Sequence, residues 1–198
     1  MKIQEQVNVL VSREVVSGKW LVRAIGVTSF IILTTLGAYV WIPLPFTPVP
    51  ITLQTFFVLL SGAVLGGRLG AISQLGYWVI GGLGLPLFAG ASFGVSSLIG
   101  PTGGYLIGFI VASWMVGRLT LERKVGGINP AATFMIFLLA SLLILLFGAS
   151  WLAVFLHCSI KKAIYLGVLP FIPGDTLKII FATLVYRKIQ HRVRNLFG

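Results

Sequence analysis

Acidic residues and cysteine are nearly absent from this chain. Of 198 residues only four are Asp or Glu, against 15 Lys and Arg, and one is Cys. The single cysteine, Cys158, cannot close an internal disulfide and has no second thiolate with which to hold a metal, so dithiol redox chemistry and zinc binding lose their usual signatures. The two histidines, His157 and His191, are not spaced with acids as metal ligands would be. No Walker-type phosphate loop occurs: the glycine-rich GPTGGY stretch (100–105) lacks the lysine, the serine and the flanking strand of that motif. Neither a cofactor nor a metal is expected, and the chain carries no means of its own to hydrolyse ATP. Charge of either sign is scarce at 10% of residues, whereas 57% are hydrophobic and the mean hydropathy is +1.01. These values exclude an ordinary water-soluble globule.

What is present is apolar sequence in lengths that suit a bilayer. A spanning helix takes about 20 mainly apolar residues, and the runs and breakers place six spans at about 21–42, 51–66, 69–86, 104–118, 131–148 and 174–190. The expectation is an all-α integral membrane protein with six transmembrane helices. Residues 1–20 are expected to form a cytoplasmic or interfacial N-terminal segment, 21–190 the six-helix membrane domain, and 191–198 a basic cytoplasmic tail. The N-terminus has polar residues where a signal peptide would carry its apolar core, and the spacing of Ile3, Val7, Leu10 and Val11 predicts an amphipathic interfacial helix. More than half of the 24 glycines lie between Gly62 and Gly108, which points to close packing of the second, third and fourth spans against neighbouring helices, with membrane lipid outside the bundle.

The net charge of +11 would suit a nucleic-acid binder if it were clustered. Here the basic residues flank apolar runs, as membrane topology requires, and no nucleic-acid partner is expected. Twelve of them, among them Lys19, Arg23, Arg68, Arg118, Arg187 and Lys188, fall on one side of the predicted spans, and only Lys161 and Lys162 on the other. The positive-inside rule therefore puts both termini in the cytoplasm of a multi-pass cell-membrane protein. Eight of the nine prolines then lie on or beside external loops, with Pro130 alone inside. Proline fixes φ and stiffens a loop, so these segments read as a structured external cap over a cavity.

Asp175 is the only aspartate, and the other acids, Glu5, Glu14 and Glu122, are all on the cytoplasmic side. Asp175 opens the sixth span and Lys178 follows one turn later, so both project from one helix face. An acid and a base in a membrane helix point to function by default. The plainer alternative is a first-turn acid favoured by the helix dipole beside a lysine that snorkels outward. Gln54, Gln74, Tyr77, Thr102 and Tyr105 add uncharged donors and acceptors within apolar segments. Taken singly each is a helix-to-helix hydrogen bond; together with the charged pair they suit a small amphipathic solute with an amide-like group. Ser92 and His157 would be the residues of an intramembrane hydrolase, but both fall in external segments instead of a buried helix pair.

Four blocks carry a resemblance: IPLPFTPVPITLQTFFVLLSGAVLG (42–66), GLPLFAG (84–90), GPTGGYLIGF (100–109) and GVLPFIPGDTLK (167–178). In order and spacing they are similar to the BioY family, the biotin-binding S components of energy-coupling factor (ECF) transporters. That resemblance implies biotin as ligand, and as partners a transmembrane coupling subunit and two cytoplasmic ATPase subunits. It associates Asp175 and Lys178, in the Gly-Asp-x-x-Lys motif, with biotin contacts. Gln54, Gln74, Tyr77 and Tyr105 are secondary candidates, and Phe46, Thr47, Phe88, Ala89 and Gly90 belong to loops that would close the site. Where the family often carries further glycines after FAG, this chain has Gly90-Ala-Ser-Phe-Gly94. For the small-residue docking stripe of S components the nearest form here is Ala24-x-x-x-Thr28. A stand-alone biotin carrier without an ATPase partner would share the same pocket.

Overall fold

A computed structural model describes residues 2–121 and 129–197, with side chains from residue 18 onward apart from 194, 195 and 197. The side chains of Ile3, Val7, Leu10 and Val11, and the basic pair Arg123 and Lys124, lie outside what is described. The chain forms α1 (Lys2–Tyr39), a hairpin of β1 (Trp41–Leu44) and β2 (Thr47–Thr52), α2 (Gln54–Leu65), α3 (Gly67–Gly82), α4 (Gly94–Ile99), α5 (Gly103–Thr120), α6 (Pro130–Phe155), α7 (Ile160–Gly167) and α8 (Ile172–Phe197), with short 3₁₀ turns at Ala89–Ala91 and Leu169–Phe171.

Six principal helices thus stand where six spans are expected, but they are not equal. Among the described residues four segments are long and apolar enough to cross a bilayer: Gly18–Tyr39, Gly103–Thr120, Pro130–Phe155 and Ile160–Val193. At about 1.5 Å per residue, the 12 residues of α2 and the 16 of α3 reach only about 18 and 24 Å, less than the roughly 30 Å of hydrocarbon. Apolar composition is blind to this difference, because it cannot tell a residue in a helix from one in a buried hairpin.

The segment that follows α1 is a hairpin of this kind. Residues 41–52 pair antiparallel, Trp41 with Thr52 and Ile42 with Ile51, with an irregularity between Ile42 and Leu44. The fold is therefore helical with one two-stranded element among the described residues, not purely α. Pro43, Pro45, Pro48 and Pro50 alternate along the hairpin, which two strands with a solvent-facing edge tolerate and a central strand would not. Because the hairpin consumes these residues, α2 begins at Gln54, and its first turn lies against the cavity.

α2 and α3 are joined by Gly66 alone, at φ +83°, a left-handed value that an L side chain adopts only with strain. Gly117 of α5 packs directly on this junction, where a Cβ would collide with the backbone of Gly66 and Gly67. The core follows from such close approaches. Val58, Leu59, Ala63, Ala112, Val116, Phe137, Ala140 and Ile144 are buried between α2, α5 and α6, while Ile25, Ile32, Leu36, Leu146, Phe181 and Leu184 remain exposed on the outer faces. A bundle with its apolar surface outward is a membrane-embedded protein.

A buried polar layer crosses this core. Gln74 Nε2 donates to Ser61 Oγ (3.1 Å) and Ser73 Oγ (3.2 Å), the Thr34 hydroxyl donates to Gln74 Oε1 (3.5 Å), and Ser61 and Ser113 share a 2.8 Å hydrogen bond. Gln74 thereby ties α1, α2, α3 and α5 together, which is its structural role.

Candidate functional site: a capped cavity with one buried ion pair

A cavity of about 510 Å³ opens among the hairpin, the 83–93 segment, the α4–α5 connection and the facing sides of α2, α5, α6 and α8. Small-molecule sites run from about 300 to 1,000 Å³ and are mostly apolar with a few placed polar groups. This one fits: Trp41, Phe88, Leu106, Phe109, Ile144, Leu145 and Phe171 supply apolar wall, and Thr52, Gln54, Thr55, Ser97, Thr102, Asp175 and Lys178 supply polar atoms.

The charged pair forms as the one-turn spacing predicts. Lys178 Nζ lies 2.8 Å from Asp175 Oδ1, with the side chains 11% and 6% exposed. Lys178 Nζ also donates to Thr55 Oγ1 at 3.1 Å, Thr55 Oγ1 donates to Asp175 Oδ1 at 3.4 Å, and Ser141 Oγ donates to Asp175 Oδ2 at 3.1 Å. Buried charges persist only when paired and hydrogen-bonded, and α2, α6 and α8 each contribute to that condition here. A surface cap beside a snorkelling lysine does not describe this geometry. Thr55 and Ser141 escape sequence reasoning. Thr55 is one residue from a flagged glutamine, and Ser141 is a single hydroxyl within the apolar run 134–147, a pattern that most often bonds its own helix.

The other candidates divide. Thr47, Gln54, Phe88, Ala89, Gly90 and Tyr105 line the cavity with Asp175 and Lys178. Tyr105 Oη donates to the Gly167 carbonyl at 2.7 Å, tying α5 to the end of α7. Phe46, expected in a closing loop, sits on the outer side of the hairpin turn, 54% exposed and away from the lining. It follows Pro45 into the turn, where side chains leave the packed face. Gln74 lies in the core layer described above, and Tyr77 stands behind the wall, 1% exposed, donating to the Leu87 carbonyl at 3.0 Å and accepting from Gln54 Nε2 at 2.6 Å. Ala24 is half-buried and Thr28 exposed on α1. Ser92 lines the cavity but donates to Ala89 O, and His157 is not part of the lining; no serine–histidine dyad is assembled.

The 83–93 segment is held by specific contacts. Tyr39 Oη donates to the Pro86 carbonyl at 2.5 Å. The ring of Phe88 meets that of Tyr77 edge-on, centroids 5.4 Å apart, and fits only because residue 81 is glycine: a Cβ there would run into the ring. Beyond Phe88 the chain turns back through Gly90 (φ +66°) and Ala91 (φ +58°), and Phe88 N bonds Ser92 O at 3.1 Å. Ala91 is thus a non-glycine residue in the left-handed region, at one of the positions where the resemblance leads one to look for further glycines. Trp41 of the hairpin covers Gly90, so the two halves of the cap meet over the cavity.

Comparison with known proteins places this architecture. Residues 10–195 match the model described as the BioY family. A probable biotin transporter BioY of Pyrococcus horikoshii is 42% identical over 164 residues, 83% of this chain and 93% of that protein. A biotin transporter BioY of Thermotoga maritima is 39% identical over 162 residues, 81% and 91% of the two chains. Among solved structures, the S component for biotin from an ECF-type ABC transporter superposes with a TM-score of 0.82 at 26% identity, covering 88% of this chain and 93% of that one. A membrane bundle with this cap, a single acid–base pair under it and a family match running almost end to end have one common explanation: the chain belongs to the BioY family.

Proposed function

We propose that this chain is the biotin-capture subunit of an ECF-type transporter, a transport protein and not an enzyme. The observation that carries the reading is the buried Asp175–Lys178 pair, hydrogen-bonded by Thr55 and Ser141 at the wall of a capped cavity, in a chain of the BioY family. Relatives named as biotin transporters and the solved S component for biotin support the ligand.

The chemistry is complementary. The ureido group of biotin carries two N–H donors and a carbonyl acceptor, so a carboxylate accepts from the former and an ammonium donates to the latter, both charge-assisted and roughly twice as strong as neutral hydrogen bonds. The sulfur ring and the methylenes of the valerate chain are apolar and match the Phe88, Phe109, Ile144 and Phe171 wall, and the terminal carboxylate of the valerate is the alternative partner for the Lys178 ammonium. Asp175, Lys178, Gln54, Tyr105, Thr47, Phe88, Ala89 and Gly90 are the residues assigned to ligand contact. Both termini face the cytoplasm of the cell membrane, the cap faces outward, and biotin enters from outside under the hairpin and the 83–93 segment. The occupied subunit then docks, through the α1 face bearing Ala24 and Thr28, on a transmembrane coupling subunit carrying two ATPase subunits. ATP hydrolysis in those partners drives release inward.

The test is equilibrium binding of biotin to the detergent-purified chain, followed by uptake into cells with and without the coupling and ATPase subunits. Saturable one-to-one binding and uptake that needs the partners support the reading. Absence of binding by monodisperse protein overturns it, and uptake without partners transfers the chain to the stand-alone carriers.

A further inference from the structure

Tyr77 does not line the cavity, yet its hydroxyl joins the cavity wall to the cap. We propose that Tyr77 is a positioning residue: it fixes the orientation of the Gln54 amide at the wall and fastens the base of the 83–93 segment to it, so that α2 and the cap respond to ligand as one unit. The inference rests on the biotin reading above.

The argument is one of hydrogen-bond direction. A phenol has one proton, and that of Tyr77 is given to the Leu87 carbonyl at 3.0 Å. Toward Gln54 the same oxygen can therefore only accept, so Gln54 must present Nε2 to it, at 2.6 Å. The other end of the amide follows, with Oε1 accepting from Thr52 Oγ1 at 3.0 Å. The chain of donors Thr52 to Gln54 to Tyr77 to Leu87 has one consistent sense. It leaves Gln54 one N–H and one Oε1 lone pair for the cavity, the pairing that a cyclic amide or ureido edge requires. Leu87 in turn precedes Phe88, whose ring rests on Tyr77 and whose successors Ala89 and Gly90 line the cavity. Tyr39 fastens the same segment one residue earlier, at the Pro86 carbonyl, but has no bond to Gln54; it serves as the internal control.

The experiment measures biotin dissociation rate and affinity for the purified full chain in wild-type, Tyr77→Phe, Gln54→Ala, Tyr77→Phe/Gln54→Ala and Tyr39→Phe forms, with thermal stability recorded for each. Tyr77→Phe keeps the ring on Phe88 and removes only the hydroxyl. The expected result is about a tenfold faster dissociation for Tyr77→Phe, a combined loss in the double variant well below the product of the two single losses, and a smaller effect for Tyr39→Phe. Wild-type affinity in Tyr77→Phe, or losses that multiply independently in the double variant, overturns the inference while leaving the biotin reading intact. Failure of the wild-type chain to bind biotin is the separate failure of that reading. If Tyr77→Phe does not fold, Gln54→Glu serves instead: without an Nε2 donor it draws the Tyr77 proton away from Leu87, and faster amide hydrogen exchange across 84–93 is expected. Unchanged exchange there overturns the proposal.

Discussion

Removing the charges of Asp175 and Lys178 one at a time and then together separates a binding site from an idle ion pair. The pair is 2.8 Å apart with side chains 6% and 11% exposed, so deleting either partner leaves the other buried without compensation. Such breaks cost about 3–5 kcal/mol, whereas replacing both partners by neutral groups of similar size is often close to neutral. Asp175→Asn keeps the shape: its amide oxygen still accepts from Lys178 and Thr55, and Ser141 Oγ turns from donor to acceptor. Lys178→Met keeps the stem. Each single variant is expected to melt lower than wild type, and the Asp175→Asn/Lys178→Met double variant to recover most of that loss. Binding behaves differently, because the ligand loses two charge-assisted hydrogen bonds in the double variant and regains neither. At about 1.5–3 kcal/mol per hydrogen bond to a charged group, and about 1.4 kcal/mol per tenfold, the double variant should bind biotin at least 100-fold more weakly than wild type. Isothermal titration on monodisperse protein, paired with a melting curve, reads both quantities. A double variant that is stable and still binds with wild-type affinity would refute the assignment and leave the pair a structural one.

Four further outcomes follow from named contacts. Gly117→Val places side-chain carbon on the Gly66–Gly67 backbone and should destabilise the bundle by roughly 2 kcal/mol or more, as overpacking does, seen as a lower melting temperature with or without ligand. Gly81→Ala drives a Cβ into the buried Phe88 ring and should both weaken biotin binding several-fold and lower the melting temperature of the unliganded protein, by about 1 kcal/mol or more of stability. Ala91→Gly relieves a left-handed residue at a gain of up to about 1 kcal/mol, measurable as equal or higher thermal stability. In a Cys158→Ala background, Lys161→Cys should react with an impermeant maleimide on intact cells and Arg68→Cys only after permeabilisation; the reverse pattern would invert the proposed topology.

The class of molecule is legible in the residues alone, because hydropathy and the placement of charge answer to the bilayer before any tertiary contact exists. Asp175 and Lys178 stand out there as well, since a charged pair one turn apart in an apolar helix is conspicuous without coordinates. The remaining assignments depend on how the helices pack. Whether a polar residue faces ligand or neighbour depends on which helix stands opposite, so Gln74 went to the core layer, Tyr77 behind the wall and Phe46 to the outside, while Thr55 and Ser141 entered the site. The hairpin was hidden for a related reason: alternating prolines stiffen a loop in either conformation, and only the pairing of Trp41 with Thr52 across the turn makes strands of them. Span lengths were blurred because apolar sequence continues from the hairpin into α2, and hydropathy reports burial from water, not the point at which a helix starts.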